Sequence, residues 1–120
     1  MTAESNVLLE IMERFNTAFE KHLPEVLDDL IGEGCVLENT APAPDGARYE
    51  GREACLAFWK GIASNADFVF KAEEIWASED RGVIRWQLRW SAREVDRVRG
   101  VNIMRVRDGK IVEGMGYVKG

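Results

Sequence analysis

The sequence predicts an α+β fold in which helices come first and a long antiparallel sheet follows. In the first half of the chain, apolar residues recur at spacings of three and four, which indicates amphipathic helices. From about residue 68 onward, apolar and polar residues alternate, which indicates β-strands with one dry face. A run of helices followed by a run of strands is the α+β layout.

Three helices are predicted in the first half. The first shows its apolar stripe through Ile11, Phe15 and Phe19, and Pro24 suits the first turn of the second. We expect the second helix to end at Gly32 and Gly34. The predicted helices cover about residues 4–21, a short stretch from residue 24, and about residues 52–62. Between the last two, the sequence predicts a short strand over 35–39 and a loop over 40–50.

The second half is predicted to be an antiparallel meander. Strands are expected at about residues 68–78, 81–92, 95–106 and 111–118. Turn residues separate them: Glu79-Asp80-Arg81-Gly82 predicts one hairpin, and Asp108-Gly109 predicts another with a two-residue turn.

One predicted strand has an unusually large apolar face. Ile84, Trp86, Leu88 and Trp90 alternate with polar residues and share one side of that strand. Two tryptophans contribute a large apolar area. They either fill an ordinary core or line a pocket, and the function depends on which.

Composition narrows the classes of partner. The net charge of −5 disfavours nucleic-acid binding, and no apolar run is long enough to span a bilayer. The acidic N-terminal segment lacks the basic start of a signal peptide, so we expect a cytoplasmic protein. Cys35 and Cys55 are then expected to be free thiols in the core. His22 is the only histidine, so no Cys/His zinc cluster and no cofactor are expected.

Two motifs connect the chain with a known group. Tyr49-Glu50-Gly51-Arg52-Glu53-Ala54 leads into the third helix, and Asp108-Gly109-Lys110-Ile111 precedes the last strand. With this order of elements, the chain resembles the nuclear transport factor 2-like superfamily, which includes ketosteroid isomerases, SnoaL-like polyketide cyclases and limonene epoxide hydrolases. The resemblance implies one domain over 1–120, with three helices packed on a strongly curved, mainly antiparallel sheet that forms a cone.

The same resemblance argues against the chemistry of ketosteroid isomerases. Their oxyanion tyrosine corresponds to Phe15, their late-strand acid to Asn102 and their general base to Asn39. Phenylalanine cannot donate a proton and asparagine cannot accept one at useful pH. Loss of a general base alone costs about 10²–10⁴-fold in rate. An asparagine amide can still donate a hydrogen bond to a carbonyl oxygen.

Epoxide hydrolysis is supported no better. Asn39 matches the water-holding asparagine of limonene epoxide hydrolases, whereas the other positions carry unsuitable residues. These are Leu37, Leu88, Trp90 and Gly116. SnoaL-like cyclases need an acid near the same late strand, and residues 116–119 offer none.

The predicted ligand-binding residues are those expected to face the interior of the cone. They are Phe15, Phe19, Asn39, Phe58, Trp86, Leu88, Trp90, Asn102 and Met104. Alternatively, the rings interlock as a filled core and the two amides bond to backbone or to each other. Glu38 and Tyr49 are weak catalytic candidates, because alternation turns Glu38 outward toward an ion pair and Tyr49 could cap the third helix.

Three functions remain open from sequence. The first is binding of a small hydrophobic molecule in an apolar pocket, by a homodimer that pairs through the outer sheet face at Arg85, Gln87 and Arg89. The second is an isomerase, cyclase or hydratase of a small polyketide- or terpenoid-like substrate, using Glu38 or Tyr49 as base. The third is a non-catalytic interaction module with a filled cone.

Overall fold

A computed structural model describes residues 3–119, which form two α-helices, a 3₁₀ helix and a six-stranded sheet, with two of the strands preceding the last helix. This confirms the α+β class. The elements are α1 (Ala3–Glu20), a 3₁₀ helix (Pro24–Asp29), β1 (Ile31–Glu38), β2 (Arg48–Glu50), α2 (Arg52–Ala63), β3 (Val69–Ser78), β4 (Arg81–Arg89), β5 (Arg97–Arg107) and β6 (Lys110–Val118).

The sheet has the strand order β2-β1-β6-β5-β4-β3 and remains open. Only the β1–β6 pair is parallel, so the sheet is mainly antiparallel, as predicted. The helices pack on one side of it, with α1 against β3 and β4 and α2 against β1 and β2. We call this side the inner face and the opposite side the outer face.

The predicted end of the second helix is wrong. β1 begins at Ile31 and contains both Gly32 and Gly34, so these glycines do not stop a helix. Ile111 N–H donates to Leu30 O at 2.7 Å, and this bond draws the chain into the sheet. A Cβ on Gly32 would lie 3.1 Å from a methyl carbon of Val112. The missing side chain therefore lets β1 and β6 approach closely.

Three other boundaries differ from the predictions. β2 lies inside the predicted loop and pairs with the end of β1, a short pairing that the surrounding prolines conceal in the sequence. β4 ends at Arg89 and β5 begins at Arg97, so the hairpin loop between them is longer than expected. Trp90 consequently follows β4 instead of belonging to it. The Asp108-Gly109 turn is confirmed, and both residues have the positive φ of the predicted turn.

A β-bulge at Glu73 sets the side-chain directions of β3. The register with β4 shifts between Ala72 and Glu74, which leaves Glu73 as an extra residue. Phe70 pairs opposite Leu88 before the bulge, and Ile75 pairs opposite Ile84 after it. The bulge therefore lets both parts of β3 present apolar residues to the inner face, although these residues are an odd number of positions apart.

Glycines on the inner face let large side chains lie close to the sheet. A Cβ on Gly82 would collide with Met12 of α1, and a Cβ on Gly114 would lie 2.6 Å from the indole of Trp59. Met12 and Trp59 are both buried. The helices can thus approach the sheet directly at these points.

Glu73 also organises charges on the outer face. Arg99 donates two hydrogen bonds to its carboxylate, at 2.8 and 3.0 Å, and Gln87 donates one at 2.7 Å. Arg85 adds a longer contact at 3.3 Å. These donors, Arg99 above all, lower the pKa of Glu73 from 4.5 to about 2. A charged Glu73 therefore links β3, β4 and β5.

The Glu73→Gln variant should unfold at a lower temperature than the wild type at pH 7. Because the folded-state pKa is depressed, the stabilisation is fully present above pH 4.5 and is lost as the pH falls toward 2. Thermal unfolding followed by circular dichroism should show the two melting temperatures converging across that interval. Glu74→Gln is the control, because Glu74 is more exposed and contacts only Arg85. A constant difference between wild type and Glu73→Gln from pH 7 to 2 would contradict this role.

Candidate functional site

A cavity of about 320 Å³ lies between α1, α2 and the inner face of the sheet. An apolar cavity of about 150 Å³ is large enough for benzene, so this one has room for about two such rings. Its lining residues are Phe15, Asn16, Phe19, Leu37, Glu38, Asn39, Thr40, Phe58, Trp59, Ile62, Phe68, Phe70, Ile84, Trp86, Leu88, Asn102, Gly114 and Gly116.

Aromatic side chains form a connected wall of the cavity. Phe15 and Phe19 lie one turn apart on α1, with ring centroids 4.9 Å from each other. Phe15 meets Trp59 edge-on at 5.0 Å, and Phe19 meets Phe70 at 5.5 Å. Phe70 in turn contacts Trp86 at 6.0 Å. The rings do interlock, as the filled-core alternative required, but they leave the cavity between them.

Asn102 is the best-oriented polar group in the cavity wall. The indole Nε1–H of Trp86 donates to Asn102 Oδ1 at 3.1 Å. Because an indole can only donate, this bond fixes which end of the amide is oxygen. The Nδ2 group of Asn102 remains a donor for another acceptor. The sequence placed both residues at the site but could not show that one orients the other.

Two glycines make room for this pair. Gly100 lies opposite Trp86 in the β4–β5 register, and a Cβ there would be 2.5 Å from the indole. Gly116 lies opposite Asn102 on β6, where a Cβ would be 3.2 Å from Asn102 Oδ1. Any larger residue at Gly100 would displace Trp86 and with it the donor that orients Asn102.

Asn39 offers a hydrogen-bond acceptor, whereas Asn102 offers a donor. Its Nδ2 donates to Ala41 O at 3.3 Å, so its Oδ1 is the atom available as an acceptor. Its backbone N–H donates to Ala47 O at 2.8 Å, which closes the loop between β1 and β2. Gly46, with φ of 79°, packs so tightly on the carbonyl of Asn39 that a Cβ would collide with it. Gly46 is thus required for the position of Asn39.

Neither weak catalytic candidate places an acid or base in the cavity. Glu38 borders the cavity, but its carboxylate pairs with Arg48 at 2.8 Å on the outer face. The alternation of side chains along this strand predicts the same outward direction for Glu38. Tyr49 stacks on Phe58 at 4.7 Å, as a capping aromatic on α2, and does not line the cavity. Glu38 is the only ionisable residue among the described lining residues.

Two of the nine predicted ligand-binding residues do not line the cavity. Met104 is fully buried beneath the cavity floor, with its sulfur close to Gly114. Trp90 lies beyond the end of β4 and is 42% exposed. The other seven line the cavity: Phe15, Phe19, Asn39, Phe58, Trp86, Leu88 and Asn102. Their binding of a ligand stays a prediction.

The sequence-based set omitted several lining residues. Asn16 follows Phe15 and lies one turn from both Met12 and Phe19, so helical spacing could have identified it. Phe68 and Phe70 follow the alternation of β3 and were recognisable as members of one face. Thr40 gave no comparable signal, because its position depends on the fold of the β1–β2 loop.

The remaining reactive side chains have structural roles. Cys35 and Cys55 are buried free thiols, and the single S–H of Cys55 has two acceptors within reach, the carbonyl oxygens of Cys35 and Tyr49, each 3.4 Å from its sulfur. Burial raises the pKa of the Cys35 thiol far above its ordinary value. His22 is half-buried, and its Nδ1 bonds to Ala63 O at 2.9 Å, joining the ends of the two α-helices.

Residues 3–119 contain neither a candidate metal-binding group nor a candidate membrane-spanning helix. No group of three histidine, cysteine, aspartate or glutamate residues is close enough to hold a metal ion. The described helices include none with the length and hydropathy needed to cross a membrane.

Comparisons with solved structures support the fold. An NTF2-like protein of unknown function from Mesorhizobium loti is 50% identical, with a TM-score of 0.93 over 100% of this chain and 97% of that one. A proposed ketosteroid isomerase from Kribbella flavida is 15% identical, with a TM-score of 0.81 over 98% and 81%. An LEH-like epoxide hydrolase from M. tuberculosis is 19% identical, with a TM-score of 0.75 over 99% and 83%. The latter two similarities show the fold alone.

Family assignment follows from a direct match. Comparison with curated proteins gives no match. The model of the SnoaL-like domain, however, matches residues 12–114, which run from the middle of α1 into β6. The chain therefore belongs to the SnoaL-like domain family, within the NTF2-like superfamily.

Proposed function

We propose that this protein binds a small, uncharged, largely apolar molecule that carries a hydrogen-bond acceptor. The observation that carries the proposal is the combination of an aromatic cavity of about 320 Å³ with the donor that Trp86 orients on Asn102. Ligand pockets are commonly apolar with a few placed polar groups. In this proposal the curved sheet wraps the helices as a cone, and the cavity occupies its wide end.

The charge distribution supports an uncharged ligand. The polar side chains in the lining are amides, a hydroxyl and an indole N–H, all neutral, apart from the Glu38 carboxylate that pairs with Arg48. Moving an ion into an apolar cavity without a partner is strongly unfavourable. A ketone or similar carbonyl would instead accept from Asn102 Nδ2, while its apolar body contacts the aromatic wall.

The catalytic alternative gains no comparable support. It needs Glu38 or Tyr49 within hydrogen-bond reach of a bound molecule. Glu38 is engaged by Arg48, and Tyr49 packs on Phe58 outside the lining. We therefore propose binding without proton transfer by these two residues. The two buried, unbridged thiols support a reducing compartment, for which we propose the cytoplasm.

We further propose a homodimer formed through the outer face, but not through the arginines named from sequence. Arg85 and Gln87 already contact Glu73 of the same chain, and Arg89 bonds to Arg93 O. Next to them lies an outer row of apolar residues, in register across four strands. The row consists of Trp76, Val83, Ile103 and Met115.

The outer row fits a second copy of the chain. Trp76 is 46% and Ile103 36% exposed, and contiguous exposed apolar surface marks interaction sites. On one flank Arg81 pairs with Glu113 at 2.7 Å, and on the other Glu73 pairs with Arg99 at 2.8 Å. Because the charged residues on each flank form ion pairs within their own chain, two copies could meet at the outer row without net repulsion.

Isothermal titration with acetophenone and benzoate tests the ligand proposal. The two are similar in size, but benzoate carries a charge, so acetophenone should bind at least tenfold more tightly. Asn102→Leu should weaken acetophenone binding about two- to twelvefold, the range for one hydrogen bond. Asn65→Ala, outside the cavity, is the control. Equal affinity for both compounds, or no effect of Asn102→Leu, would argue against the proposal.

Sedimentation velocity tests the dimer. The wild type should sediment at twice the monomer mass, and Ile103→Lys should sediment as a monomer because it places a charge in the centre of the outer row. Val95→Lys is the control, since Val95 is 70% exposed in the β4–β5 loop. A monomeric wild type, or an Ile103→Lys variant that stays dimeric, would refute the proposed interface.

A further inference from the structure

The apolar inner face continues beyond the cavity. Trp86 and Leu88 line the cavity, and Trp90 is the next residue of the same alternation. Trp90 N–H donates to Asp96 O at 3.2 Å, which extends the β4–β5 ladder past the regular strands. The side chain of Trp90 therefore lies on the cavity side of the sheet, although it is outside the lining.

Neighbouring strands extend this surface. Val98 lies opposite Leu88 in the β4–β5 register, and Val118 lies opposite Gly100, which in turn lies opposite Trp86. Val98, Gly100 and Val118 therefore all lie on the inner face. We call Trp90, Val98 and Val118 the apolar strip. It adjoins the cavity through two lining residues, Leu88, which lies next to Trp90 and opposite Val98, and Gly116, which precedes Val118 on the same side of β6.

The apolar strip is not covered by the helices. Trp90 and Val118 are each 42% exposed, whereas Met104, farther along the same face of β5, is fully buried. The polar residue Asn102 lies between Met104 and the strip. A molecule bound to Asn102 would thus have the closed end of the inner face on one side and an uncovered apolar path on the other.

We propose that the apolar strip is a second subsite for the ligand, and that the ligand is therefore elongated. This inference rests on the proposed function, because it requires the polar end of the molecule to sit at Asn102. The ligand class is an uncharged carbonyl compound whose apolar tail leaves the cavity past Leu88 and covers Trp90 and Val118. Continuity with the cavity favours this occupant over a second copy of the chain, whose proposed contact surface lies on the outer face.

A series of phenyl ketones tests the length of the site. Isothermal titration would compare acetophenone, butyrophenone, hexanophenone and octanophenone. Each methylene buried on the strip should raise the affinity about three- to fourfold, which corresponds to about 0.8 kcal/mol per methylene. Affinity that stops rising once the cavity is filled, at the short homologues, would overturn the inference.

Two variants and one matched control assign the gain to the strip. Trp90→Ser should weaken octanophenone about tenfold and change acetophenone less than twofold, and Val118→Ser should act in the same direction. Val7→Ser is the control, because Val7 is 53% exposed on α1 and belongs neither to the apolar strip nor to the outer row. It should leave the whole series unchanged, which separates a subsite from adsorption on any exposed apolar side chain.

The remaining outcomes are also decisive. If Trp90→Ser weakens all four ketones equally, its effect is on the fold and the inference is wrong. If Trp90→Ser changes the sedimenting mass instead of the dependence on chain length, another copy covers the strip and the inference is again wrong. If acetophenone binds but the series is flat, the subsite fails while the proposed function stands. If no ketone binds, the proposed function itself fails.

Discussion

The structure depends on how closely large side chains can approach the inner face of the sheet. Gly82, Gly100 and Gly114 lie on that face in β4, β5 and β6, directly beneath Met12, Trp86 and Trp59. Where the chain lacks a Cβ, a thioether or an indole lies against the backbone itself. Dispersion contacts over such areas are individually small and collectively large. The same close approach fixes α1 and α2 relative to the sheet and so sets the width of the space between them.

This constraint also positions the polar groups of the cavity wall. Trp86 can donate to Asn102 only because Gly100 leaves room for its ring, and Asn39 keeps its position only because Gly46 packs against its carbonyl. Among the described lining residues only Glu38 is ionisable, and its carboxylate pairs with Arg48; further ion pairs lie on the outer face. The cavity wall thus combines aromatic rings with amide, hydroxyl and indole groups that are neutral. The family match adds a fold that hosts several chemistries, and a fold alone does not assign one of them.

Much of this was accessible from periodicity. The stripe through Phe15 and Phe19, the alternation through Trp86 and Leu88, and the Asp108-Gly109 turn each depend on local rules, and each appears in the structure. The errors arose where tertiary contacts decide. Gly32 was read as a helix stop because its close contact with β6 involves residues eighty positions away.

At the candidate site, too, the sequence identified residues but not the contacts between them. The resemblance to ketosteroid isomerases led to Asn39 and Asn102, which stand at the positions of that group's general base and late-strand acid. Their polarities, a donor at Asn102 and an acceptor at Asn39, follow from partners that only the folded chain brings together. Trp90 was assigned to the cavity because the alternation through β4 gives no indication of where the helices stop covering the sheet.

The bulge in β3 has a consequence for how this chain can change over time. Because Glu73 is the extra residue of the bulge, its in-frame deletion would make Ala72 and Glu74 consecutive residues opposite Trp86 and Arg85. Phe70 and Ile75 would both keep their places on the inner face, whereas the outer face would lose the carboxylate that Arg99 and Gln87 contact. Substitutions at position 73 alter the charges of the outer face and leave the bulge, whereas loss of the residue removes both. We therefore expect loss of residue 73 to reduce the local bend of β3 without exchanging its inner and outer sides.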